Sequence, residues 1–238
     1  MVDGVDRIRV AVSPEGGGFG SFAAEMIGQA VRRAVEVRGS CSLMLTGGRT
    51  ARSVYQEWAR AGIWWGPMVT AYHGDERCVP SGHEESNHGG IDEILGGVLR
   101  IEPIDAMAPN RESAASDYAR RLPDRLDVLM LSMGDDGHIA SLFPGSMVLD
   151  EHRRRVVATT GPKAPVDRFT ITAPVISEAR EVFVMVVGGA KGRVLAEAVT
   201  TGSPTSYPVL IASSATHLLD QDACEAFLRA GGRLAGAK

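Results

Sequence analysis

Apolar and polar positions along the chain fall into a repeating order of short β-like runs and longer amphipathic stretches. Apolar runs at 8–12, 43–45, 68–72, 128–132, 182–187 and 209–212 predict strands, and stretches at 22–37, 50–61, 87–99, 192–199 and 220–230 predict helices. The strand-like runs are apolar throughout rather than alternating, as expected of strands covered on both faces by crossover helices. The predicted fold is therefore α/β: a doubly wound, mainly parallel sheet with helices on both faces. Residues 147–172 break the rhythm and read as a small excursion of strands and loops, with a mobile loop over 163–168. No linker-like block, repeat or low-complexity segment divides the chain, so residues 1–238 are expected to form one domain.

Composition narrows the function classes. A hydrophobic share of 44% with 23% charged residues is ordinary for a soluble globular protein able to bury a full core. The net charge of -4, with no basic run beyond residues 153–155, gives no field for nucleic acid. Cys41, Cys78 and Cys224 are widely spaced and contain no CxxC pair, which suggests a reducing compartment rather than a disulfide framework or zinc ribbon. The opening MVDGVDRIRVAV lacks the basic start and apolar stretch of a secretory signal, and no apolar run approaches the roughly 20 residues that span a bilayer. The expectation is a cytoplasmic protein with no membrane partner.

In an open parallel sheet, ligands bind beyond the carboxyl ends of the strands, so polar residues following each apolar run are where chemistry is sought. Four such clusters occur. The run at 43–45 is followed by Thr46, Gly47, Gly48, Arg49 and Thr50, which open a helix. Two glycines let backbone approach a ligand closely, and a helix N-terminus offers free N–H groups to an anion. The turn is neither a P-loop nor a GxGxxG element, and a Gly-Gly turn before a helix is, taken alone, more often only a tight connection. The run at 68–72 is followed by His73, Gly74, Asp75, Glu76, Arg77 and Cys78, then by Ser86 and Asn87. Adjacent acids beside an arginine make either a structural ion pair or the address of a polar ligand, and Ser86 or Asn87 suits the N-cap of the next helix.

The third cluster, Gly134, Asp135, Asp136, Gly137 and His138, aims an imidazole outward between carboxylates. Such a group is suited to moving protons near neutrality, although a lone loop histidine also serves as a turn cap. In the fourth, Gly188, Gly189, Ala190 and Lys191, a lysine at a helix start is electrostatically misplaced unless it faces an anion. Arg168, ahead of the run at 169–171, adds a second cation. Two anion-accepting turns, two cations, two acid clusters and one histidine on one sheet edge suit a small phosphorylated polar molecule.

With these residues in view, the chain resembles the 6-phosphogluconolactonase family over nearly its whole length. LTGGRT is similar to the family's (S/T)GG(S/T) loop, and GDERCVP with the later Ser86 and Asn87 is similar to its DER(x)VP and SN element. GDDGHIASLFPG resembles G(x)DGHTASLFPG, while RFTIT and GGAKGRVL resemble the R(x)T and G(x)(x)K elements; DGHIASLFPG together with DERCVP is the specific pair. Arg49, Thr50 and Ala51 depart from the small hydroxyl residue, Thr or Ser, and Pro of many relatives, and Ile139 replaces the usual Thr. Isoleucine at that position also occurs in the glucosamine-6-phosphate deaminases, whose DGHIAFNEP pattern carries an acid where this chain has Phe143.

The resemblance implies a metal-independent hydrolase without a cofactor, in a fold related to glucosamine-6-phosphate deaminase. Its substrate would be a small sugar-phosphate lactone, 6-phospho-D-glucono-1,5-lactone, opened to 6-phospho-D-gluconate in the oxidative pentose phosphate pathway. It implies that Thr46, Gly47, Gly48, Arg49, Thr50, Arg168 and Lys191 hold the phosphate. His138 would do the proton work, with Asp136 or Asp75 orienting it and Arg77 stabilising the oxyanion. No GxSxG element makes Ser141 a nucleophile, and the spacing of His73, Asp75, Asp135 and His138 matches no metal motif. The expected state is a monomer or weak homodimer. Two alternatives stand beside this reading: a sugar-phosphate isomerase or deaminase, against which Phe143 argues, and a non-catalytic sugar-phosphate-binding protein. A regulator of the latter kind needs a DNA-binding module, for which the residues before Ile8 are too few.

Overall fold

A computed structural model describes residues 8–62 and 65–234. The first seven residues, part of the segment read as lacking a secretory signal, lie outside the described residues. In chain order the elements are β1 (Arg9–Val12), α1 (Phe19–Arg38), β2 (Cys41–Leu45), α2 (Arg49–Arg60), β3 (Val69–His73), β4 (Asp75–Arg77), α3 (Asn87–Leu95), β5 (Arg100–Glu102) and α4 (Arg111–Arg121). They continue with β6 (Val128–Ser132), β7 (Val156–Thr160), β8 (Asp167–Ile171), α5 (Ala173–Glu178), β9 (Glu181–Val186), α6 (Gly189–Thr201), β10 (Thr216–Leu219) and α7 (Gln221–Arg229).

Seven strands pair in parallel in the order β1-β10-β9-β6-β2-β3-β5. The sheet is doubly wound as its apolar strands predict. β6 lies at its centre, and successive side chains of that strand point to opposite faces. Val128 and Met130 pack with Ile27, Leu43, Val54 and Trp58 under α1 and α2, whereas Leu129 and Leu131 pack with Tyr118, Val184, Leu195 and Phe227 on the other face. The loop that follows β6 therefore emerges from a core closed on both sides.

A second, three-stranded antiparallel sheet, β4-β8-β7, stands against the carboxyl edge of the first. Gly74 separates β3 from β4: its N–H bonds Leu45 in the main sheet, and its carbonyl accepts from Ile171 in the small one. The chain thus changes sheets at one residue, which carries Asp75, Glu76 and Arg77 directly over the strand ends.

Several boundaries differ from expectation. Residues 209–212 are not a strand but part of a 3-10 helix, Pro208–Ala212, and the strand is β10. Pro208 has no N–H for a ladder, and a short apolar run reads alike as strand or buried turn. α3 stops at Leu95, ahead of Gly96 and Gly97, rather than running to 99. Residues 163–168 are not loop throughout, since Asp167 and Arg168 already belong to β8.

Candidate active site

The turn after β2 is built by glycine and clamped by tyrosine. Gly48, the N-cap of α2, has φ 95° and ψ 164°, a conformation open to glycine, and no side chain caps this helix. A β-carbon on Gly47 would stand 1.9 Å from Asn87 Oδ1, so only glycine fits beside that amide. The buried Tyr55 hydroxyl accepts from Thr46 N at 3.1 Å and donates to Thr46 O at 2.7 Å. The turn is therefore fixed while the N–H groups at the start of α2 have no side-chain partner.

The adjacent acids after β3 divide their work. Glu76 is buried and accepts from the amides of Arg77, Asn87 and His88 at 2.7, 2.8 and 2.6 Å, and from Ser86 Oγ at 3.2 Å. Burial pushes its pKa up, against the pull of those amides. It serves the start of α3, whose N-cap is Ser86, accepting from Gly89 N at 3.0 Å. Asp75 instead reaches the cleft, with Oδ1 accepting from Asn87 Nδ2 at 3.2 Å and Oδ2 from Ser141 Oγ at 2.8 Å. His73 is buried, its Nε2 3.1 Å from His88 Nδ1, and burial followed by the nearby His88 pushes its pKa down to about 3. It faces α3 and not the cleft.

His138 is held on three sides. Asp136 Oδ1 lies 2.5 Å from Nδ1 and accepts from the His138 amide at 3.1 Å. Burial acts against the Asp136 charge, but its hydrogen bonds with His138 prevail and hold the carboxyl below its ordinary range. The imidazole packs against Gly134, where a β-carbon would come within 2.0 Å of Cε1, and the Phe143 ring stands 4.6 Å away by centroids. With Nδ1 engaged by a carboxylate, Nε2 is the nitrogen left to exchange a proton. Of the two acids, Asp136 is the one that bonds His138, and both oxygens of Asp75 are bonded elsewhere, to Asn87 and Ser141.

The cations carry the clearest ligand signal. β4 and β8 place Arg77 directly opposite Arg168, an arrangement in which like charges repel. Arg168 is buried, sits over the Phe143 ring at 5.6 Å, and makes one long bond of 3.4 Å to Lys163 O. Burial, followed by Arg77, pushes its pKa down. The Nε atoms of both arginines are buried without a partner, as is the hydroxyl of Ser132. Arg77 Nη1 is tied to Glu85, donating to its carbonyl at 2.5 Å. Lys191 crosses from α6 to donate to Met133 O at 2.7 Å. Unmet buried donors beside repelling cations are costly unless an anion completes them.

Thr46, Gly47, Gly48, Asp75, Arg77, His138, Arg168 and Lys191 line one cavity of about 170 Å³. Arg49 lines an adjoining lobe of about 400 Å³. Asp136 stands behind His138 rather than in the wall, and Thr50 lines neither space. Asn87, Ser132 and Ala140 also line the cavity, and sequence reasoning gave none of them a ligand role. Ser132 carried a faint signal as the polar end of an apolar strand. At the expected second anion turn the Gly188 amide is already taken: Asp220 accepts from it through both oxygens at 2.9 and 3.1 Å. Among the described residues no group of three or more His, Cys, Asp or Glu is arranged to hold a metal ion, and no helix is long and apolar enough to cross a membrane.

Comparison with known proteins places the chain and its fold. The family model for glucosamine-6-phosphate isomerases/6-phosphogluconolactonase matches residues 19–219. A 6-phosphogluconolactonase of Synechocystis sp. is 31% identical over 214 residues, which cover 82% of this chain and 88% of that protein. The crystal structure of a 6-phosphogluconolactonase from Shewanella baltica matches with a TM-score of 0.81 at 24% identity, over 91% of this chain and 99% of that one. A monomeric glucosamine-6-phosphate deaminase matches with a TM-score of 0.78 at 16% identity, over 92% of this chain and 100% of its own. At such identities the structural likeness speaks for the fold.

Proposed function

The chain belongs to the glucosamine-6-phosphate isomerase/6-phosphogluconolactonase family, and on that premise we propose that it hydrolyses 6-phospho-D-glucono-1,5-lactone to 6-phospho-D-gluconate. The observation that carries the proposal is a single cavity with an imidazole backed by a carboxylate and two opposed arginines whose Nε atoms have no partner. Arg77, expected from the sequence to stabilise the oxyanion, stands opposite Arg168 in the strand register, and we assign it instead to the phosphate, with Arg168, Lys191 and the N–H groups of the Gly47–Gly48 turn. His138 accepts through Nε2 the proton of a water attacking C1, while Asp136 stabilises the imidazolium. The tetrahedral intermediate then expels the ring oxygen, which takes that proton from His138, leaving the free acid.

Phe143 supports lactone opening over deamination: its ring packs against His138 and under Arg168, where the deaminase pattern has an acid. The three free cysteines fit action in a reducing compartment, and the cytoplasm is part of the same proposal. The test is lactone hydrolysis measured above its spontaneous rate. His138→Ala should lower kcat by about 10²–10⁴-fold with KM little changed, the size expected for a lost general base. Wild-type turnover in that variant would remove His138 from the chemistry, and wild-type protein no faster than buffer would end the lactonase reading.

A further inference from the structure

We infer that Ser132 is a phosphate ligand of this site, donating its hydroxyl hydrogen to an oxygen of the substrate's phosphate; the inference rests on the reaction proposed above. Ser132 ends the central strand β6, and its Oγ is buried with no hydrogen-bond partner in the protein. An orphan hydroxyl in a strand otherwise closed by apolar residues is a cost the free protein carries with no structural return.

Its direction follows from the pleat. Val128 and Met130 point to the face covered by α1 and α2, Leu129 and Leu131 to the other, so alternation turns Ser132 toward α2. That is the helix whose N-terminus opens at Gly48 with no side-chain cap, and β6 is the direct neighbour of β2, from which the turn springs. On its other side β6 neighbours β9, which leads to Lys191, whose Nζ bonds the carbonyl of Met133, the residue after Ser132. Ser132 thus lies on the floor between the glycine turn and the lysine, and it lines the same cavity as both. The turn brings backbone donors, but Thr50 does not reach the cavity. A serine on the next strand adds a hydroxyl donor to a wall that Thr46 of the turn also lines.

The experiment compares wild type with Ser132→Ala, using inorganic phosphate, 6-phosphogluconate and unphosphorylated gluconate as probes. Ser42→Ala serves as the contrast, since the Ser42 hydroxyl bonds Asp127 at 2.9 Å far from the cavity. Removing Ser132 Oγ should weaken 6-phosphogluconate and phosphate by about 10- to 100-fold, the scale of one hydrogen bond to a charged group, and leave gluconate unchanged. For the lactone, KM should rise by a similar factor with kcat held. The free Ser132→Ala protein should melt no lower than wild type, whereas Ser42→Ala should melt lower with wild-type KM. Equal loss for gluconate, unchanged phosphate binding, or a lower melting point of free Ser132→Ala would each overturn the inference. If wild type binds 6-phosphogluconate but does not hydrolyse the lactone, the reaction proposal fails while the binding comparison still decides Ser132.

Discussion

Two glycine turns in this molecule have nearly the same backbone and different fates. Gly48, before α2, has φ 95° and ψ 164°; Gly188, before α6, has φ 91° and ψ 147°; each is the N-cap of its helix, and neither helix has a side-chain cap of its own. From the sequence both are anion-accepting turns. The difference is imposed from elsewhere in the chain. Asp220, at the end of β10, sets its carboxylate on the Gly188 amide and also caps α7 by accepting from Ala223 N at 2.9 Å. The second turn already holds its anion, and it is part of the protein. The first faces Arg77 Nε, Arg168 Nε and Ser132 Oγ, three buried atoms with no internal partner. A helix N-terminus is an offer of positive potential, and the rest of the fold decides whether a ligand or a native carboxylate accepts it.

The comparison breaks most visibly at Gly47. Gly47→Ala drives a methyl group into Asn87, which holds Asp75, and should lower kcat/KM by up to about 100-fold, as displacements of about 1 Å in a site can. In Gly189→Ala at the closed turn, the new carbon first meets neighbours at 3.5 Å, and steady-state kinetics should match wild type. Similar kinetics for the two variants would erase the distinction. Asp220→Ala comes next in size. It strands the Gly188 amide and uncaps α7, so denaturant melts should show a loss of about 2 kcal/mol with KM within about twofold of wild type. A large KM change there would mean that the closed turn also touches substrate.

The smallest effect acts on both footings alike. His73 is the register partner of Leu45 below the open turn, and His217 lies in β10 ahead of Asp220. Burial, with His88 adding to it for His73, pushes their pKa values from 6.5 down to about 3 and about 4. Below pH 6.5 the unfolded chain binds protons on both that the native protein refuses, so stability is full above that pH and falls as pH drops toward 4 and 3. Between about pH 7.5 and 6 the two should cost on the order of 1 kcal/mol, read as a lower Tm. A Tm that holds or rises on acidification would contradict their neutral burial.

How much of this was legible depends on where the information sits. β6 was readable to its exact bounds because four consecutive apolar side chains are buried there on both faces. α4 was missed because RESAASDYARR buries only Ala114, Ala115 and Tyr118, although Asn110 announces its start by capping Ser113. The site's residues were legible as polar clusters after apolar runs, since strand ends are local in sequence. Their partnerships were not. β4 is three charged residues that no propensity marks as a strand, yet its pairing with β8 sets Arg77 against Arg168. Asp220 closing a turn 32 positions away is equally invisible along the chain.

The most direct measurement is a crystal structure with 6-phosphogluconate bound. The phosphate should lie between the Gly47–Gly48 turn and the Nε atoms of Arg77 and Arg168, with the carboxyl carbon beside His138 Nε2. A phosphate seated at Gly188 and Gly189, or a carboxylate end turned away from His138, would contradict the account.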